Sequence, residues 1–136
     1  MNVIGLDGND YTVNFSKSKS RSRRQKKSQY HLRARKLLSE LFPYQPRFEE
    51  VFLPGSNTVN TGSLYADFFI PKEYLIVEVH GEQHYKFCSF FHKTKADFYK
   101  SKKRDKQKIE WCELNSIKII ILPYNKEDKW KDLVKE

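Results

Sequence analysis

Leu64-Tyr-Ala-Asp-Phe-Phe-Ile-Pro-Lys-Glu-Tyr-Leu-Ile-Val-Glu-Val-His-Gly-Glu-Gln-His-Tyr85 is the stretch whose reading decides the fold. It consists of two apolar runs, Leu64 to Ile70 and Tyr74 to His80, separated by Pro71-Lys72-Glu73. Enrichment in aromatic and β-branched residues with a proline between predicts two antiparallel strands. A turn centred between Lys72 and Glu73 pairs residues whose numbers add to 145, so Phe69 meets Ile76 and Asp67 meets Glu78. No glycine supplies a primed two-residue turn, so a four-residue connection, Pro71 to Tyr74, is the better fit; the register is the same for both. Opposed residues have β-carbons about 4.5–5.5 Å apart, and like charges there are destabilising unless a cation lies between them. Period-two alternation puts His80 on the face of Glu78, with Leu75, Val77 and Val79 turned the other way into the core.

Directly after the second strand, Gly81 permits a sharp turn or a close approach of backbone to substrate. Gln83 and His84 project from that turn towards the same end of the sheet, placed to orient water, exchange protons or contact phosphate. Upstream, residues 1–15 carry apolar positions around Asp7-Gly8-Asn9 and predict a small hairpin. Ser16 to Ser28 contains neither an apolar residue nor an acid and reads as an extended basic arm for nucleic acid through Arg21, Arg23, Arg24, Lys26 and Lys27. Ser28 to Phe42, stopped by Pro43, predicts an amphipathic helix with Leu32, Leu37, Leu38 and Leu41 on one face and Arg33, Arg35 and Lys36 on the other. Arg47 to Leu53 reads as a strand and residues 54–62 as a loop. An aromatic loop from Gly81 leads to a helix over Ser101 to Leu114, with Ile109, Trp111 and Cys112 inward, and Lys103 and Arg104 join Arg33, Arg35 and Lys36 of the first helix as expected nucleic-acid contacts. Ser116 to Pro123 predicts a buried strand, and Lys126 to Glu136 a short final helix. This order of elements predicts a mixed α/β sandwich with a central sheet.

Composition sets the wider bounds. With 136 residues the chain predicts a single core. Its 26 lysines and arginines against 17 acids, a net charge of +9, favour a polyanionic partner, either nucleic acid or an anionic membrane. No apolar run is long enough to span a bilayer and the N-terminus lacks a signal-peptide core, which predicts a soluble, cytoplasmic protein. Two cysteines, Cys88 and Cys112, read as reduced thiols.

Asp67 and Glu78 together suit Mg2+ or Mn2+ better than zinc, because their ligands are oxygens. A metal held by acids beside a basic surface is suited to phosphodiester hydrolysis. A zinc set of His84, Cys88, His92 and Cys112 has the ligand types but no common spacing, and scattered polar residues explain it better.

ADFFIPKEYLIVEVHGEQHY, with SKKRDKQKIEWCELNSIKIIILPY further on, resembles the PD-(D/E)XK nuclease superfamily. Within it the chain is similar to the Vsr-like branch of very short patch repair endonucleases, DUF559-type proteins and phage homing endonucleases. The likeness covers roughly Ser28 to Tyr124. It implies a restriction-endonuclease-like mixed central sheet flanked by helices, with 1–27 as hairpin and arm and 28–136 as the nuclease domain. By this resemblance Asp67 is the metal ligand, Glu78 fills the acidic slot, and His80 matches the first active-site histidine. His84 and Tyr85 lie where another histidine stands, and Arg104-Asp105 fits an arginine-aspartate pair on the basic helix. Three departures stand out: His80 occupies the superfamily's lysine slot, His31 occupies the slot of a helix glutamate, and the repair enzymes' zinc ligands are missing from their usual positions. Either His31 takes the helix glutamate's role, or Glu49 or Glu50 on the next strand does.

The resulting expectation is a Mg2+- or Mn2+-dependent DNA endonuclease or nickase, homing-type or phage-encoded rather than a mismatch-repair enzyme, with junction resolution also open. Phe87, Phe90 and Phe91 would stack on bases or pack structurally, and two-strand cleavage would require a homodimer or two separate events. The alternatives are a non-catalytic nucleic-acid-binding domain of the same fold and a basic protein of anionic membrane surfaces.

Overall fold

The computed structural model describes residues 1–16, 28–56, 62–89 and 92–135. The expected nucleic-acid contacts Arg21, Arg23, Arg24, Lys26 and Lys27, and the aromatic residues Phe90 and Phe91, lie outside these residues. Among the described residues an N-terminal hairpin of β1 (Asn2–Ile4) and β2 (Asp10–Thr12) precedes α1 (Gln29–Leu41). There follow β3 (Phe48–Phe52), β4 (Tyr65–Ile70), β5 (Leu75–His80), α2 (Lys95–Leu114), β6 (Lys118–Pro123) and α3 (Trp130–Lys135). The main sheet runs β3-β4-β5-β6, with β3, β4 and β5 antiparallel in turn and β6 parallel to β5. A parallel neighbour requires a crossover, and α2 provides it. The chain is thus a mixed α/β structure with a mixed sheet, and no helix among the described residues is long and apolar enough to cross a membrane.

The register of the decisive hairpin is the one its sequence dictates: Phe68 faces Val77, Phe69 faces Ile76 and Ile70 faces Leu75. Pro71 opens a single 3-10 turn, Pro71–Glu73, and Tyr74 closes it in the left-handed region at φ 48°. Both faces of this hairpin are covered, which corrects the expectation of one core-facing side. Ala34 and Leu38 of α1 and Trp130 and Val134 of α3 pack on Phe68, Ile70, Leu75, Val77 and Leu122. Trp111 and Cys112 of α2, with Val3 and Val13 of the N-terminal segment, pack with Phe69 and Ile76. A strand buried on both sides reads as a continuous apolar run, which is why LIVEV keeps little polar alternation.

Two helices differ from their predicted phase. Ser28 caps α1 by accepting from the His31 N–H, and the inward face is then His31, Ala34 and Leu38; Leu32, expected inside, is exposed. Helix α2 begins at Lys95, six residues before Ser101, because Thr94 and Asp97 form a reciprocal capping box. Its buried residues are Gln107, Trp111 and Cys112, while Ile109 is only half-buried. Trp111 fixes that phase by donating its indole N–H to the Pro54 carbonyl at 2.9 Å.

Besides its core packing, the N-terminal hairpin is tied to the end of α2 by the Asn115 side chain. Asn115 accepts from the Ile4 N–H at 2.7 Å, donates to the Ile4 carbonyl at 2.9 Å and also donates to the Trp111 carbonyl at 2.9 Å. Asn115→Ala is expected to lower stability by about 0.5–1.5 kcal/mol, the net range for a hydrogen bond whose freed partners can turn to water. The loss should be local, with denaturant titrations showing the reduced stability and hydrogen exchange accelerating first at Ile4.

Candidate functional site

Asp67 lies at the one point where the ladders on both sides of β4 are interrupted. Between β3 and β4 the partners are Phe48–Phe69, Glu49–Phe68, Val51–Ala66 and Phe52–Tyr65, so the Glu50–Asp67 position is skipped. Between β4 and β5 pairing stops at Phe68–Val77, one step short of Asp67 and Glu78. Side chains take over there: the Asp67 N–H donates to Glu78 Oε2 at 2.7 Å, and the Val79 N–H donates to Asp67 Oδ2 at 2.8 Å. Glu50 adopts the left-handed region at φ 53°, an uncommon conformation for glutamate that locally interrupts the pleat. Consistent with this, Ala66 and Phe69 both join the cluster beneath α2, although an odd spacing would put them on opposite faces of a regular strand.

Two acids side by side inside a protein require a counter-charge, and α2 provides one that the sequence reading missed. Lys108 Nζ lies 2.5 Å from Glu78 Oε1, and Glu78 is 1% exposed. Burial alone would depress the lysine, but Glu78 and Asp67 outweigh it and hold Lys108 well above the ordinary lysine range. Asp67 is pushed the other way: burial and the nearby Glu78 charge raise its carboxyl well above the usual range, more than Lys108 and the Val79 N–H offset. Lys108 therefore supplies the permanent positive charge that His80 cannot. The signal was in the sequence, since Lys108 lies one helical turn before the inward Cys112.

Glu78 spends Oε1 on Lys108 and Oε2 on the Asp67 N–H, so it braces Asp67. Asp67 is grouped instead with His31 and Glu50, whose potential ligand atoms all lie within 4.8 Å of one another. One imidazole nitrogen and two carboxylates at that separation fit a divalent cation. Of the three candidates to stand in for a helix glutamate, His31 and Glu50 reach Asp67, while Glu49 lies behind His31. Glu49 Oε1 is 2.7 Å from His31 Nε2, and Arg35 holds the same carboxylate through Nε at 2.7 Å and Nη2 at 2.8 Å. Burial works against the Glu49 charge, but the bonds from His31 and Arg35 prevail and lower its pKa to about 2.

A second group lies beside the first. His80 and His84 stack face to face, with centroids 4.0 Å apart and planes 8° from parallel. His84 Nδ1 is 2.9 Å from Asp105 Oδ2, and His80 Nε2 is 4.0 Å from Asp105 Oδ1. Burial, then the neighbouring His84, lowers His80 to about 4, so it is neutral at pH 7. Burial raises Asp105, but its hydrogen bond to His84 and the nearby positive groups leave it below the ordinary carboxylate value. Asp105 and Lys108 are three residues apart on α2, so a single helix face serves both groups.

Of the other candidates, Gln83 is half-buried and lies over Gly81, where an added β-carbon would meet Gln83 Oε1 at 2.6 Å. Gly81 itself has ordinary extended backbone at φ −77°. The close neighbour at Gly81 is therefore the Gln83 side chain. Arg35 is committed to Glu49, and Arg33 pairs with Glu127 at 2.6 Å, whereas Lys36, Lys103 and Arg104 are exposed. Phe87 is exposed and stacks on His92 with centroids 5.8 Å apart. The zinc set is dispersed: His84 binds Asp105, Cys112 lies in the core, and the Cys88 N–H donates to His92 Nδ1.

Lys108→Met should destabilise the fold by about 3–5 kcal/mol, because it strands a buried charge, whereas Glu78→Gln/Lys108→Met should recover much of the loss. Urea unfolding of the wild type, both singles and the double variant closes that cycle. His80 gives a pH dependence of known sign. Its folded pKa of about 4 lies below the unfolded 6.5, so its contribution is complete above pH 6.5 and disappears as pH falls towards 4. The full effect is about 3 kcal/mol, and unfolding midpoints measured from pH 7 to pH 4 should decline less steeply in His80→Asn.

No family model matches the chain, and no solved structure matches it. It is similar to three viral proteins. Uncharacterized protein 307L of Invertebrate iridescent virus 6 is 41% identical over 66 residues, 48% of this chain and 34% of that protein. Uncharacterized protein 033L of Invertebrate iridescent virus 3 is 35% identical over 79 residues, 58% of this chain and 40% of its own length. Uncharacterized protein 094L of Frog virus 3 is 34% identical over 84 residues, 60% of this chain and 54% of that protein. The chain thus spans between about a third and just over half of the curated relatives it matches.

Proposed function

We propose that the chain is a metal-dependent endonuclease that hydrolyses phosphodiester bonds in DNA. The observation that carries this reading is the junction of two groups at one end of the sheet: His31, Glu50 and Asp67, braced by Glu78–Lys108, lie next to a histidine-aspartate pair. When bound by Asp67, Glu50 and His31, a divalent cation would supply Lewis acidity and charge neutralisation at the scissile phosphate. The remaining work falls to the chain. Asp105 selects the His84 tautomer with its proton on Nδ1, which leaves the lone pair on Nε2 to take a proton from the attacking water. Asp105 then stabilises the imidazolium that forms, and neutral His80 lies flat against it without adding a second positive charge. Lys108 stays protonated throughout and offsets part of the repulsion between Asp67 and Glu78.

The exposed Lys36, Lys103 and Arg104, together with the net charge of +9, favour a phosphate backbone as the substrate. In this reading one copy nicks a single strand, and two-strand cleavage requires a homodimer or a second event. A homing-type or virus-encoded endonuclease is the role we favour, in keeping with the viral origin of the three relatives.

The test is cleavage of supercoiled plasmid, a mismatched duplex and a branched duplex with Mg2+, Mn2+ or chelator. Asp67→Asn should abolish metal-dependent cutting and yet unfold at a higher denaturant concentration than the wild type, since it removes a carboxylate whose ionisation the fold opposes. His84→Gln should slow cleavage by about 10²–10⁴-fold with little change in DNA affinity. Binding that persists in chelator with no cleavage of any substrate would leave a nucleic-acid-binding domain in place of the enzyme.

A further inference from the structure

A ligand histidine is useful to a metal only if its ring is held, and His31 is held on every side. It is 6% exposed, its ring stacks on Phe68 at 4.5 Å with planes 23° apart, and its backbone N–H is anchored to the Ser28 hydroxyl at 3.1 Å. Behind it stands Glu49, 2.7 Å from Nε2, and Arg35 holds Glu49 through two nitrogens at 2.7 and 2.8 Å. A carboxylate that accepts from one imidazole nitrogen fixes the tautomer and makes the other a stronger donor, the usual outer shell of a metal-binding histidine. Nothing of this kind is required by a site built for magnesium, which favours oxygen ligands and keeps much of its water.

We propose that the Arg35–Glu49–His31 relay makes the His31/Glu50/Asp67 site selective for first-row transition ions, with manganese(II) the working probe, over magnesium. This inference rests on the metal-dependent reading of the same site and specifies which ion the site prefers. His31 is the selecting ligand, because imidazole adds affinity for a transition ion and little for magnesium. Glu49 and Arg35 are positioning residues that act through the His31 ring.

Metal binding to the intact chain without DNA separates this proposal from the nuclease reading. Free Mn2+ is followed by its electron paramagnetic resonance signal as protein is added, and Mg2+ is then titrated as competitor. The wild type should prefer Mn2+ by tenfold or more. His31→Glu, an all-oxygen set, should bring that ratio down several-fold while Mg2+ binding is kept or improved. Glu49→Gln should weaken Mn2+ by about 10–100-fold, the usual effect of losing an outer-shell partner. Retained Mg2+ binding in His31→Glu guards against simple misfolding as the cause. An unchanged ratio in His31→Glu, equal affinities in the wild type, or no binding of either ion at millimolar concentration would each overturn the proposal. Selective Mn2+ binding by a protein that cuts no DNA would instead uphold it and remove the nuclease reading.

Discussion

The arrangement depends on placing Asp67 and Glu78 side by side inside a protein. Burial opposes ionisation of Asp67, and the Glu78 charge opposes it further. Lys108 offsets part of the conflict with a single ammonium 2.5 Å from Glu78, although Asp67 still keeps a raised pKa. Because Glu78 turns one oxygen to Lys108 and the other to the Asp67 N–H, the hairpin ladder opens at that rung. With the rung open, the Asp67 carboxylate accepts from Val79 and comes within reach of Glu50 and His31. A buried ion pair of this kind is poor evidence of stability, since desolvation offsets most of its attraction. Its presence points to local function, where structures commonly retain strained or costly groups.

The chain divides the work between its two faces. On one, α1 and α3 cover Phe68, Ile70, Leu75 and Val77, and α1 brings His31 to the edge of the site. On the other, α2 lies over Phe69 and Ile76 and contributes Asp105 and Lys108. The strands contribute what needs exact register, and the helices contribute what needs reach. Asp67, Glu78 and His80 alternate on adjacent strands, while long or planar groups descend on them from either side.

How much of this was readable beforehand followed from whether local chemistry fixed the answer. The hairpin register was legible because Pro71 marks the turn and a slip by one residue would have turned every apolar side chain to the wrong face. The opposition of Asp67 and Glu78 came with it. Lys108 is easily lost among the many cations of SKKRDKQKIE, and only its place one turn before the inward Cys112 marks it; the Trp111 bond to Pro54 holds that phase. The early start of α2 was written in Thr94 and Asp97, although an aromatic segment without periodicity masked it. Leu32 looked like a core residue and is not, because Ser28 fixes the start of α1 and tertiary packing selects Ala34 and Leu38. Nothing in the local sequence announces the left-handed backbone of Glu50. That conformation coincides with the skipped Glu50–Asp67 rung, a relation between strands rather than within one.

Asp105 and Lys108 occupy consecutive turns of one rigid rod, separated by about 4.5 Å of helix rise. The partner of His84 and the charge that braces the acids therefore lie on one helix face, so neither can shift along or about the axis of α2 without the other. A bend or slide of that helix would disengage both at once.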